Sequence, residues 1–516
     1  MENERVKNIK RNLIFNVIKY GVDLVFKFVL RTVMIYYLGV QYLGLNGLFS
    51  NIFTFLNLAD LGIGTAIVFS MYKPVAENDI EKIKTLQNIY KKFYLIVSII
   101  ILALGGIVTP FIKSFINGES PSDINLYLLF GMYLINAVCG YLFAHKRSLL
   151  FAYQRNDIEN KIKSVCTIVM SGLQVAAIVI FKNYYIYYAI TIVFTIVDAL
   201  WVYLVAKKYY PEISGPSNKL DDDTKREITR NITAISMHKV GGAIVFSTDN
   251  ILISAFISLT VLGAYSNYAL IFTTLGTLYI LLNNALTSSL GNMVASCDVE
   301  YCYKRFRLVN FSYSYLTAFT TICMFVLFQP FIKMWTSNNP DYLLNVYTVM
   351  LLCISYYLTR MRTSVILFRD VTGLFWNDRW KPIVESVVNL VASLLLVKPL
   401  GLNGIILGTI ISTVIAPLWV EPLVLYKHYF KKPLVKYFTR YAIDTIIMVA
   451  AGVACYFICA LIPEGGIWWL LLRFGVCAVS CALFLFILNL LTPEGRSVIG
   501  YAKRLFKKKS DENTAK

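Results

Sequence analysis

Ile18–Lys19–Tyr20–Gly21–Val22–Asp23–Leu24–Val25–Phe26–Lys27–Phe28–Val29–Leu30–Arg31 sets four charges at a step of four residues inside the first membrane-length apolar stretch. A four-residue step turns a helix by about 400°, so the stripe drifts by about 40° per step and keeps to one side. A charge at the centre of a bilayer costs roughly 2.5–3.5 kcal/mol on insertion scales. Four charges on one side therefore require that side to face other helices or water, as a path for a polar solute would.

The surrounding sequence supplies the membrane. Of 516 residues, 57% are hydrophobic and only 15% charged. Runs of about 20 apolar residues recur along the chain, about fourteen in all. They fall roughly at 12–38, 45–72, 93–112, 124–144, 164–181, 184–206, 231–257, 261–290, 308–332, 342–368, 383–397, 403–426, 441–462 and 467–491. The expected fold class is an all-α polytopic membrane protein.

Charge gives the orientation. The chain holds 49 Lys and Arg and a net charge of +19. With the amino terminus inside, the outer loops hold only Lys113, Lys182, Lys333 and Lys398. That asymmetry is the positive-inside pattern, with both termini cytoplasmic and an inner (plasma) membrane location. It accounts for the basic balance without nucleic acid. The first eleven residues are polar and the next stretch is long and charged, so no cleavable signal peptide is expected. Most of the ten cysteines fall in apolar spans, which suits packing. Cys297 and Cys302 share an inner loop without a third ligand for zinc, and no cofactor is expected.

The longest connection, at 207–230, is polar and contains Pro211 and Pro216. It separates an expected amino-terminal lobe at 1–206 from a second at 231–426, followed by two further spans at 427–491 and a tail at 492–516. A weak internal repeat agrees. Tyr42–Leu43–Gly44 aligns with Val261–Leu262–Gly263, Ile52–Phe53–Thr54 with Ile271–Phe272–Thr273, and Asn156–Asp157 with Asn377–Asp378. Two six-helix bundles in the same orientation imply a repeat about an axis along the membrane normal.

Ala59–Asp60–Leu61–Gly62–Ile63–Gly64–Thr65–Ala66, preceded by Leu38–Gly39 and Leu43–Gly44, resembles the polysaccharide-transporter branch of the MOP flippase superfamily, which contains the Wzx-type flippases. Pro382, Glu385 and Asn389, then Gly401–Leu402–Asn403–Gly404 and Gly408–Thr409, resemble the same group. The resemblance implies a MATE-like fold of two six-helix bundles around a central cavity that opens alternately to each side. It implies as substrate an oligosaccharide on a polyprenyl pyrophosphate, turned from the inner to the outer leaflet for capsule, exopolysaccharide or O-antigen synthesis. A polysaccharide polymerase and glycosyltransferases are the partners this implies.

Lys19, Lys27 and Arg31 are the candidate cationic wall for a pyrophosphate, with Lys27 furthest from either exit. The competing readings are an i±4 pair of Asp23 with Lys19 or Lys27, and snorkelling by Arg31. Asp23 and Asp60 lie at matched depth, so Asp60 could meet Lys19 or Lys27, as a counter-ion or as a carboxylate coupled to H+ or Na+. His238, Lys239 and Asp249 make the seventh span polar, with Lys239 a further candidate for substrate and His238 and Asp249 for coupling. Arg360 reads as a phosphate ligand or gate, or as an anchor; Arg362 reads as an anchor, and Glu385 as a helix-end partner of Arg379 or Lys381. Asp198, Glu421, Asp444 and Arg473 are isolated in spans and receive no role.

No Gly-Lys pair occurs, which excludes a Walker A loop, and no loop could house a catalytic domain, so the chain is not expected to be an enzyme. A lipid II flippase shares the anionic-headgroup logic and stays open. A MATE-type exporter of cationic drugs fits poorly with Lys19, Lys27, Arg31 and Lys239.

Overall fold

The computed structural model describes residues 2–60, 63–142, 144–213, 215, 248–374 and 377–496. Among them the regular elements are helices and short helical turns, with no strand. The chain divides into two compact units, Met1–Ser266 and Asn267–Lys516. The expected lobe linker at 207–230 lies mostly outside the described residues.

The first unit runs through α1 (Glu2–Tyr37), α2 (Val40–Leu56), a 3-10 turn at Asn57–Asp60, α3 (Ile63–Glu77) and α4 (Ile80–Val108). It continues through α5 (Leu126–Leu142), α6 (Ala144–Ala152), α7 (Asn156–Phe181) and α8 (Tyr184–Tyr209). The described residues then resume in a helical stretch at 248–256. Next come α9 (Leu259–Ser296), whose first two turns belong to the first unit, and α10 (Val299–Trp335). The second unit adds α11 (Val346–Met361), α12 (Thr363–Val371), α13 (Lys381–Leu400), α14 (Leu402–Ile415) and α15 (Pro417–Leu425). It ends in α16 (Val435–Ala460) and α17 (Gly466–Leu490).

Local chemistry sets the boundaries. Side-chain oxygens accept the first backbone N–H groups of four helices: Asp79 for α4, Asn183 for α8, Asp298 for α10 and Asn345 for α11. Pro417 opens α15 at the break after α14, where its missing N–H is tolerated.

Ten of the described helices are long and apolar enough to cross a membrane, and the bent pair Leu126–Leu142 with His145–Ala152 makes an eleventh. They coincide with expected spans 3–6 and 8–14. The other three differ for separate reasons. α1 has the length, at 36 residues, but its charges lower its mean hydropathy. Span 2 is broken by the turn at Asn57–Asp60, and most of span 7 lies outside the described residues.

Within the first unit, the two repeat-related Leu-Gly pairs meet. A Cβ added to Gly44 would overlap the Leu259 carbonyl oxygen, and one added to Gly263 would overlap the Val40 carbonyl oxygen. The start of α2 thus crosses the start of α9 backbone to backbone, each glycine facing the other segment. Glycine is required here for close approach, since both residues are helical. Gly44→Ala and Gly263→Ala should each destabilise the purified protein by about 1–3 kcal/mol through overpacking. Gly21→Ala, where nothing lies within 4 Å, should be neutral or stabilising. A thermal-unfolding series separates the three, and equal Tm values would contradict the crossing.

Candidate functional site

The stripe on α1 divides into two halves. Its lower half belongs to a contact with α7. Asn12 donates to the Gln154 carbonyl at 2.9 Å and accepts from the Asp157 backbone N–H at 2.8 Å. Asn160 donates to Asn16 at 2.8 Å, and Arg11 pairs with Asp157 at 2.8 Å. Lys19 and Asp23 sit on nearly the same face as Asn12 and Asn16, each 27% exposed, and pair with one another at 3.9 Å. The charge of Lys19 also reaches Glu159 on α7.

Lys27 keeps close to the phase of Asn16, about 20° away and about three turns further along α1. Its side chain is exposed, and no carboxylate among the described residues pairs with it. Arg31, one step beyond, is half-buried. Its guanidinium donates to the Ser266 hydroxyl, and its charge acts on the buried Tyr184 and Tyr187, both of which reach Asn46. Arg31 is thus tied to Ser266 inside the first unit.

Asp60 ends the 3-10 turn that breaks span 2, so it does not sit on a continuous helix antiparallel to α1. It lines a cavity of about 500 Å³ with Tyr90, Tyr94, Arg147 and Ser148. Tyr90 donates to Tyr94 at 2.8 Å, and Gly64 leaves room for both hydroxyls. His238 and Lys239 lie outside the described residues. Asp249 is described, half-buried, with its charge acting on Tyr265.

In the second unit, Arg360 ends α11 between two rings, 5.3 Å from the Tyr279 centroid and 5.5 Å from that of Tyr356. Such positions over aromatic faces stabilise a cation by about 0.5–2 kcal/mol. The Tyr279 hydroxyl reaches Thr317 and Thr320 at 3.1 and 3.3 Å, and Tyr356 donates to Thr320 at 3.3 Å. The guanidinium packs directly on Gly276, where a Cβ would collide with it. No carboxylate among the described residues pairs with Arg360, and its Nε is buried without a hydrogen-bond partner.

Its neighbours in sequence behave differently. Arg362, expected as an anchor, is buried and grips Glu421 of α15 through two bonds of 2.7 and 2.9 Å. Lys381 donates to the same carboxylate at 2.5 Å, and Glu385 stands 3.6 Å from Arg362. Glu385, expected as a helix-end partner of Arg379 or Lys381, thus joins a buried network in which the charges of Arg362 and Lys381 both act on it. Arg369 extends the network to Asp378 and, at 2.7 Å, to Asp370.

The first unit repeats the layout. Arg147 of α6 pairs with Asp198 of α8 at 2.5 Å and with Glu159 at 3.5 Å, while Lys163 lies 3.7 Å from Asp198. Asp157 and Asp378, from the two matching Asn-Asp pairs, are each bound by arginine. The charges without a role in the sequence all have partners: Asp444 pairs with Arg440 at 2.5 Å and Arg473 with Glu464 at 3.5 Å.

Removing one partner of a buried ion pair costs about 3–5 kcal/mol. Glu421→Gln, which leaves Arg362 and Lys381 facing a neutral amide, should therefore cause loss of monodisperse protein in size-exclusion chromatography. The exposed pair Lys73–Glu77, 3.9 Å apart, should tolerate Glu77→Gln. Unchanged behaviour of Glu421→Gln would show that the network contributes nothing to folding.

No protein-family model and no curated protein sequence matches this chain. Solved structures do. The lipid II flippase MurJ superimposes with a TM-score of 0.66 at 15% identity, covering 94% of this chain and all of its own. An inward-facing MATE-family multidrug transporter of the MOP superfamily gives 0.59 at 14% identity, over 79% of this chain and 94% of its own. The Vibrio cholerae MATE transporter VcmN gives 0.57 at 12%, over 83% of this chain and 98% of its own. The chain is multi-pass, with a fold like that of the MurJ and MATE transporters.

Proposed function

We propose that this protein is a flippase for a polyprenyl-pyrophosphate-linked oligosaccharide, moving the headgroup between leaflets along paths lined by Lys27 and Arg360. One observation carries the reading. Among the described residues, Arg147, Arg362, Arg369, Lys381 and Arg440 are each bound to carboxylates, whereas Lys27 and Arg360 are not. A cation kept within a span without a carboxylate suits an anion that arrives and leaves. Unit charges 4 Å apart attract by about 4 kcal/mol at an effective dielectric constant near 20, enough to favour a headgroup without trapping it.

No chemistry is required of the protein. It lowers the barrier to moving a polar headgroup through hydrocarbon while the lipid tail stays in the bilayer, and the bias comes from different affinities in two conformations. Steady transport would draw on an H+ or Na+ gradient, with Asp60 and Asp249 as the carboxylates to test, or on consumption of the flipped product outside. The topology proposed from charge places the termini and the pick-up side in the cytoplasm. A MATE-like export of cationic drugs is disfavoured by the same two cations.

A second reading, transport of lipid II, is supported by the MurJ superposition, which spans 94% of this chain. Both substrates present a pyrophosphate on a polyprenyl tail. Reconstituted vesicles loaded with either lipid, with outward transfer read by an impermeant reagent, distinguish the two.

Lys27→Ala and Arg360→Ala should each reduce flipping roughly 10- to 100-fold, as loss of one charged hydrogen bond of about 1.5–3 kcal/mol predicts. Protein levels should be normal. Undiminished transfer by both variants would sink the proposal. Gly276→Ala, which displaces Arg360 without removing its charge, should give an intermediate loss.

A further inference from the structure

Where α10 and α16 present their basic ends, the second unit encloses a cavity of about 440 Å³. Arg307, Lys436, Arg440 and Glu494 supply its charges, and Tyr303 and Tyr437 line it with them. The size falls within the range of small-ligand pockets.

The cavity already holds an anionic group in a cationic fork. Glu494 accepts from Arg440 at 3.0 Å through one carboxylate oxygen and from Arg307 through the other. Burial alone would raise its pKa, but the Arg307 hydrogen bond, its own backbone N–H and the two arginine charges hold it below the usual carboxylate range. Arg440 is further held by Asp444 at 2.5 Å and Asn489 at 3.2 Å.

Lys436 stands apart. It lies in the first turn of α16, its side chain is exposed, and no carboxylate among the described residues pairs with it. No side chain caps that end of α16, so the positive end of a 26-residue helix adds to the same field. Even with Asp444 counted behind Arg440, the three cations exceed the two carboxylates.

The mouth identifies the source of the anion. Val435 and Ile443 line the cavity, and Ile446, Val449 and Val453 continue the same exposed face of α16 away from it. An apolar stripe leading from a cationic pocket suits acyl chains beneath a phosphate, and a free ion would gain nothing from it. Basic pockets between spans are a general means of holding anionic lipid headgroups.

We propose that this cavity binds the headgroup of an anionic phospholipid, its phosphate on Lys436 and the outward edges of Arg307 and Arg440. Glu494 competes with the phosphate for the two arginines and so sets the affinity. The site is independent of which substrate the protein moves.

The test uses the purified full chain in neutral detergent, with thermal unfolding followed after adding dioleoylphosphatidylglycerol, dioleoylphosphatidylcholine or inorganic phosphate. Phosphatidylglycerol should raise Tm by about 3–5 °C at saturation, and the other two should not. Lys436→Gln should keep the lipid-free Tm and lose at least about half of the shift, since stabilisation follows affinity. Arg307→Gln should lose more, and Glu494→Gln should reach half of its maximal shift at a lower lipid concentration than the parent chain. An equal shift with phosphatidylcholine would overturn the proposal, as would an undiminished response of Lys436→Gln. A matching shift with inorganic phosphate would mark a free-anion site and overturn the lipid assignment. Where Arg307→Gln fails to fold, Lys436→Glu supplies the same contrast from an exposed position.

Discussion

A charge inside a bundle of apolar helices must be matched by another charge, and most of this structure follows from how that requirement is met. Asp198 and Glu421, each deep in a span, would be untenable alone. Arg147 with Lys163 neutralises one, and Arg362 with Lys381 the other. In the first unit these pairs join α6, α7 and α8, and in the second they tie α13 and α15 to the junction of α11 and α12, so those elements are fixed by partners they do not share a turn with. Such networks contribute little net stability over apolar packing, but each breaks if one member is lost.

Against that background Lys27 and Arg360 acquire meaning. Lys27 continues the four-residue step of Lys19 and Asp23, but its side chain is exposed and no carboxylate among the described residues pairs with it. Arg360 is placed by different means, on tyrosine faces that threonine hydroxyls orient. The aromatic support stabilises the guanidinium where no carboxylate among the described residues pairs with it. Both arrangements keep a cation within a span without a competing carboxylate.

The sequence made the helical membrane class legible because hydropathy acts over windows of about 20 residues and tolerates local error. It also made the stripe legible, since a four-residue period survives any tertiary packing. The division of the stripe was less accessible, because only the packed structure shows which of its charges are paired and which are exposed. The ion networks were hidden for a plainer reason. Arg362 and Glu421 are 59 residues apart, and Arg147 and Asp198 are 51 apart, so no local spacing relates them. The repeated Asn-Asp pairs were the available signal, since one opens α7 and the other lies in the turn just before α13, each with its aspartate bound by arginine. The break at Asn57–Asp60 was also invisible to hydropathy, and it moved Asp60 into a tyrosine-lined cavity.

The crossing of α2 and α9 at Gly44 and Gly263 has a mechanical corollary. Interlocked side chains resist rotation, because changing the crossing angle lifts each knob from its hole. At this crossing the backbones meet, but the Val40 side chain also lies against Gly263 and the Leu262 side chain against Gly47. The glycines supply the holes and their neighbours the knobs, so the joint fixes the angle of the helices as well as their separation. The side chain that each glycine lacks is then the seat of the key that locks the joint.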